Sequence, residues 1–264
     1  MTPTIRVGAL ISGGGTNLQA VIDACEAGET GAQVVFVGSD NPGAKGLGRA
    51  ERHGIPSFVV DYGDIIRRYR QDPTEVHLPS DFDLDEMRGK SRLFSPDVDA
   101  ATVKAFLETR AVAEKELLTA MAPYEFDLLI LAGFMRNLTP YFIDRVNADA
   151  ANPRIMNIHP ALLPAFPGTD GYGDTYRYGC KLGGCTVHFI DYGEDSGPII
   201  GQRAFAILPG DTLDDIKSKG LKEEWKLYPA CIKLFAQKRL TVETRMHRLP
   251  GGKTMERKVV AINT

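Results

Sequence analysis

The sequence predicts an α/β fold, with a mostly parallel central sheet, helices on both faces and an antiparallel C-terminal portion. Three observations carry that prediction. Short β-branched runs alternate with helical patterns through the first 160 residues, as βαβ units do. "FDLLILAG" is a near-continuous apolar run, suited to a central strand covered on both faces. Beyond residue 183, two apolar runs are joined by the acidic turn "YGEDSGP" and not by a helix, which suits an antiparallel pair.

Taken in order, "IRVGALI" reads as the first strand and "NLQAVIDACEAG" as the first helix, capped by Thr16 or Asn17 and closing near Gly28. "QVVFVGS", "GAKGLGRAERHG" and "SFVVDY" continue as strand, helix and strand. Residues 101–122 make the helix that precedes "FDLLILAG". "GGCTVHFID" and "GPIIGQRAFAIL" form the antiparallel pair, and the helical pattern of "TLDDIKSKGLKEEWKLYPACIKLFAQKRL" runs on through Gly220. The tail alternates on both sides of "PGG", which predicts a hairpin.

Residues 73–100 break the rhythm with three prolines, seven acids and only three bases, the composition of a surface excursion. Such a segment is an inert insertion or a lid. The division expected is one domain over residues 1–240, holding this insertion at about 73–100, and an extension over 241–264.

A formal net charge of -3 gives no bulk attraction to nucleic acid or to an anionic membrane, which leaves a small molecule as the expected partner. No apolar run approaches the roughly 20 residues of a membrane helix. "MTPTIRVGALISGGG" lacks the length and flanks of a signal peptide. Cys25, Cys180, Cys185 and Cys231 form neither a CxxC pair nor a zinc-type cluster, and are expected as reduced thiols in a cytoplasmic protein.

Two stretches carry polar groups where the strands end. "LISGGGTNLQA" places Ser12 to Thr16 between strand and helix, where exposed N–H groups and the helix dipole make either an anion site or a tight turn without ligand. It is not the dinucleotide fingerprint, whose third glycine falls on Leu18, nor a Walker A loop, since no Gly-Lys-Ser/Thr follows. In "MNIHPALLPAFPG", Asn157 and His159 are two apart on a strand and so share a face, while Pro160, Pro164 and Pro167 hold the outgoing loop in a low-entropy path. A lone histidine in apolar surroundings is commonly structural. Asp195, in "GEDSGPII", changes that balance, because a carboxylate beside an imidazole orients it and favours its charged form.

"LISGGGTNLQA", "LILAGFMRNLTP", "MNIHPALLPAFPG", "GCTVHFID" and "EDSGPII", in this order and spacing, resemble the folate-dependent glycinamide ribonucleotide formyltransferases of purine synthesis. The likeness covers about residues 5–60 and 105–240. It implies a Rossmann-like formyltransferase fold, 10-formyltetrahydrofolate as formyl donor, glycinamide ribonucleotide as acceptor, no metal, and a monomer or homodimer. Asn157, His159 and Asp195 match the catalytic trio. Gly15, Thr16 and Asn17 match the segment holding the substrate phosphate, and Glu224 the acid on the ribose. Arg110, Met135, Arg136, Leu138 and the turn Asp191, Tyr192, Gly193, Glu194 match the folate site.

The chemistry fits those residue types. An amine attacking a formyl carbon builds negative charge on the formyl oxygen, which an Asn N–H and an imidazolium stabilise. Asp195 favours the imidazolium and, through a water, carries the amine proton toward the leaving nitrogen. His188 is expected to be structural.

The chain departs from the family pattern where members carry a His-rich "HTHRQA"-like stretch and this sequence has "TDGYGDTYRYG". Tyr172, Tyr176, Tyr178 or Arg177 stand to replace the missing histidine's contacts. Asn137 replaces an apolar residue, and Leu221 stands where a polar substrate contact is common. The alternatives are formyl transfer to another amine such as an amino sugar nucleotide, hydrolysis of formyl folate, and an inactive folate-binding regulator. Methionyl-tRNA as acceptor calls for an additional RNA-binding domain.

Overall fold

A computed structural model describes residues 4–149 and 151–263. Strand β1 (Ile5–Ile11) lies inside the sheet, and its alternate side chains feed two different cores. Val7, Ala9 and Ile11 join one and Leu10 the other, as the pleat requires. Helix α1 (Thr16–Glu26) starts directly after the glycine turn. Its N-cap is Gly15, at φ 67°, and no side chain caps it, which corrects the expected Thr16 or Asn17 cap. The left-handed conformation selects glycine, and a β-carbon there would lie 2.9 Å from Gly46 Cα.

Strand β2 (Ala32–Ser39), helix α2 (Leu47–Arg52) and strand β3 (Ser57–Val59) follow. β3 is shorter than "SFVVDY" suggests, because Asp61 accepts from Asp64 N–H and thereby caps helix α3 (Tyr62–Gln71). A 3-10 turn (Pro73–Glu75) and helix α4 (Leu84–Lys90) come next, then the 22-residue helix α5 (Ala100–Met121) and strand β4 (Leu128–Leu131). Helix α6 (Pro140–Val146), strand β5 (Ile155–His159), helix α7 (Gly171–Arg177), strand β6 (Leu182–Phe189) and strand β7 (Ile199–Ala206) lead to helix α8 (Leu213–Ala236). α8 opens on a Thr212/Asp215 capping box and continues through Gly220 and Pro229.

The sheet order is β3-β2-β1-β4-β5-β6-β7. The first five strands are parallel, and β6 pairs antiparallel with both β5 and β7, so the expected fold class is borne out. Chain order reverses at β1, which sits between β2 and β4. Ligands of open α/β sheets bind outside the carboxyl strand ends at such a reversal. The glycine turn, "GFMRNL" and His159 all lie at that edge.

The 73–100 segment is packed, not a structureless excursion. Met87 of α4 is buried with Val103 and Leu107 of α5 and Tyr141 of α6, and Phe82, Phe94 and Val98 pack against them. Lys90 Nζ donates to Asp144 at 2.8 Å, and Arg92 N–H donates to Tyr192 C=O at 2.9 Å. At the C-terminus, β8 (Leu240–Arg248) and β9 (Thr254–Ile262) pair antiparallel from Leu240↔Ile262 to Arg248↔Thr254. Leu240, Val242 and Val260 pack against the α1/α8-side core. Among the described residues no helix is long and apolar enough to cross a membrane.

Candidate active site

A cavity of about 460 Å³ opens at the carboxyl edge, and Asn157, His159 and Asp195 line it together. The strand places the first two. Antiparallel pairing sets Asn157 directly opposite His188, and His159 opposite Thr186.

His159 is almost wholly buried, with Nδ1 3.1 Å from Asp195 Oδ2 and Nε2 2.7 Å from Phe166 C=O. A carbonyl and a carboxylate only accept, so both ring nitrogens carry protons in this arrangement. Burial works against the charged ring, but the hydrogen bond and charge of Asp195 and the Phe166 carbonyl outweigh it, and the pKa of His159 is raised. Both N–H groups are committed within the protein. The imidazolium therefore offers its charge to a ligand, and the hydrogen bond falls to Asn157.

Asp195 sits at φ 48°. Burial penalises its carboxylate too, yet the hydrogen bond and charge of His159 and the Gly168 N–H at 2.8 Å hold it well below the usual carboxylate range. The proline loop is anchored by more than its prolines. Thr186 Oγ1 donates to Ala161 C=O at 2.7 Å and accepts from Leu163 N–H at 3.0 Å and Gln202 Nε2 at 2.9 Å.

His188, expected to be structural, is fully buried and lies beside Asn157 without lining the cavity. Its Nδ1 lies 2.9 Å from Phe189 C=O and must donate, which leaves Nε2 as an acceptor for Asn157 Nδ2 at 3.3 Å. That contact turns the amide so that its nitrogen's second hydrogen remains for a ligand. The cross-strand register sets this pair, and a single sequence gives no signal for it.

The cavity has two ends. At one, Asn17 of α1 and Glu224 of α8 meet, Nδ2 to Oε2 at 2.5 Å. Lys217, two helical turns before Glu224, lines the same end beside Leu221. The sequence signal for it was the spacing of 217, 221 and 224, which share a helix face. At the other end, Met135, Arg136 and Leu138 face Asp191, Gly193 and Glu194, with Asn137 Nδ2 3.2 Å from Glu194 Oε1. Leu93 of the acidic segment lines the cavity as well.

Four expected residues lie elsewhere. Gly15 packs against Gly46, and Thr16 faces a separate groove between α1 and α8. Tyr192 donates to Asp144. Arg110 is buried, its guanidinium 5.2 Å from the Tyr62 ring centroid and 4.6 Å from that of Phe106, with Nε unpartnered. Among the described residues no group of three or more His, Cys, Asp or Glu is arranged to hold a metal ion.

A family model described as formyl transferase matches residues 5–232. The chain is 30% identical over 246 residues to the phosphoribosylglycinamide formyltransferase of Haemophilus influenzae, covering 93% of this chain and 94% of that one. Its fold is similar to the crystal structure of glycinamide ribonucleotide transformylase 1 from Symbiobacterium toebii, at TM-score 0.72 and 34% identity, covering 100% of this chain and 96% of that one. A formyltetrahydrofolate deformylase from Pseudomonas syringae shares the fold at TM-score 0.67 but only 18% identity, with 99% and 66% covered. The motifs at the strand ends had pointed to one lineage, and the match along nearly the whole sheet agrees: the chain belongs to the formyl transferase family.

Proposed function

We propose that this protein transfers the formyl group of 10-formyltetrahydrofolate to the amine of glycinamide ribonucleotide, a step of purine synthesis. One observation carries the reading: a single cavity is lined by Asn17 and Glu224 on one side and by Met135, Arg136, Leu138 and the Asp191–Glu194 turn on the other, with Asn157, His159 and Asp195 lining it too. Two substrates entering from opposite ends meet at that trio. Met135, Arg136 and Leu138 with the Asp191–Glu194 turn hold the folate, and Asn17 and Glu224 hold the ribonucleotide.

The amine nitrogen bonds to the formyl carbon and the bond from that carbon to the folate nitrogen breaks. As charge builds on the formyl oxygen, Asn157 donates its second N–H and the His159 imidazolium supplies its field. Asp195 Oδ2 holds His159 and the Gly168 N–H. Oδ1, 3.5 Å from His188 Nε2, keeps lone pairs to relay the amine proton through one water to the leaving nitrogen. Joining two held reactants supplies the remainder of the rate. Residues 1–240 form the catalytic unit in this reading. The protein acts in the cytoplasm, as monomer or homodimer, on small molecules and not on nucleic acid.

Purified protein is incubated with 10-formyltetrahydrofolate and glycinamide ribonucleotide, and tetrahydrofolate release is followed by absorbance. Formyl transfer that needs the ribonucleotide is the expected result. Formate release without an amine, or transfer only to an amino sugar nucleotide, would overturn the acceptor assignment.

A further inference from the structure

The segment that departs from the family pattern carries a buried tyrosine at the acceptor end. Tyr172, the second residue of α7, is 6% exposed and lines the cavity. Its hydroxyl donates to Glu224 Oε1 at 2.5 Å, while Asn17 Nδ2 donates to Oε2 at 2.5 Å. Glu224, 4% exposed, is thus gripped from two sides by two different elements. Burial and the neighbouring carboxylate push the Tyr172 hydroxyl far above its ordinary pKa, so it remains a donor.

The space for this ring is made on α8 itself. A β-carbon at Gly220 would lie 2.1 Å from Tyr172 Cζ and 2.2 Å from its hydroxyl oxygen. Gly220 is one turn before Glu224 on the same helix, so the residue that clears the space and the residue that is gripped share a face. Mid-helix glycine is unfavourable against alanine, and accommodating the tyrosine gives it a physical reason.

A second observation points to a ligand at this place. Asn17 is 8% exposed, and with its amide nitrogen committed to Glu224 its Oδ1 is a buried acceptor without a partner. Buried polar atoms are nearly always paired. A hydroxyl or amine of the acceptor supplies the missing donor.

We infer, resting on the acceptor proposed above, that Tyr172 is a positioning residue for that acceptor. Together with Asn17 it fixes the Glu224 carboxylate for the ribose hydroxyls, in the space left by Gly220. The donor carbonyl and the reacting nitrogen are untouched by it.

Tyr172→Phe keeps the ring in its space and removes only the donor. The expected result is a rise of about 10-fold in KM for glycinamide ribonucleotide, with kcat within about 2-fold and KM for formyl folate unchanged. Tyr172→His restores a donor and recovers most of the lost KM. Gly220→Ala displaces the ring and repeats the Tyr172→Phe pattern. Thermal unfolding of each variant is run beside the kinetics, and Tyr172→Phe decides the matter if Gly220→Ala does not fold. Unchanged KM for the ribonucleotide in Tyr172→Phe, or equal rises for both substrates, would overturn the inference while leaving the acceptor assignment standing. A wild-type protein that does not use the ribonucleotide overturns both.

Discussion

At Asp195 burial and pairing oppose each other, and pairing wins for both partners: the carboxylate is held low and the His159 imidazole is raised. His159 contributes stability fully below its ordinary 6.5 and loses it as pH rises through the raised folded value. Asp195 contributes above its ordinary 3.8 and loses it as pH falls through the depressed value. The pair is therefore worth most between those ordinary values. Asp195→Asn should show its largest loss of Tm against wild type in that window, the difference shrinking on the alkaline side, as a pH series of thermal melts will test. The same change leaves His159 buried without its counter-charge, so the alkaline limb of kcat moves to lower pH. Asn157→Ala removes the side-chain N–H offered to the formyl oxygen, and kcat should fall about 10²- to 10³-fold with little change in either KM. A drop under about 5-fold would show that the oxyanion is held elsewhere.

At the scale of elements, the β5–β6 pairing decides more of the site than either strand alone. It sets His188 against Asn157, and it puts Thr186 where one hydroxyl ties the proline loop at Ala161 and Leu163. Thr186→Val keeps the shape and strands both backbone groups. A loss of about 2–3 kcal/mol is expected in urea unfolding. Because the same loop carries the Phe166 carbonyl and the Gly168 N–H, kcat should fall with it, by about 10-fold. Unfolding without a kcat effect would mean the loop holds its place through its prolines.

Across the whole molecule, the acidic segment links a small outlying core to the cavity and to the Asp191–Glu194 turn. Met87 belongs to that core, Arg92 N–H holds the carbonyl of Tyr192, and Leu93 reaches the cavity wall. Met87→Ala leaves a void in a core with few members, and such truncations cost about 2–5 kcal/mol. Hydrogen exchange should quicken across residues 84–99 first, and KM for formyl folate should rise while KM for the ribonucleotide stays. Equal rises would tie the segment to the fold at large and not to one substrate.

The pattern of apolar runs determined the α/β class, the antiparallel end and the face shared by Asn157 and His159, because strand pleat and helix period are local properties. Motif order determined the family and named the trio. Packing alone decided that His188 orients Asn157, that the Phe166 carbonyl accepts from His159 Nε2, that Arg110 lies over the Tyr62 ring, and that Tyr172 reaches Glu224 across Gly220. Each joins residues from different elements. Their meeting depends on strand register and on how loops close over the sheet edge, which are set by long-range contacts that no local stretch of sequence encodes.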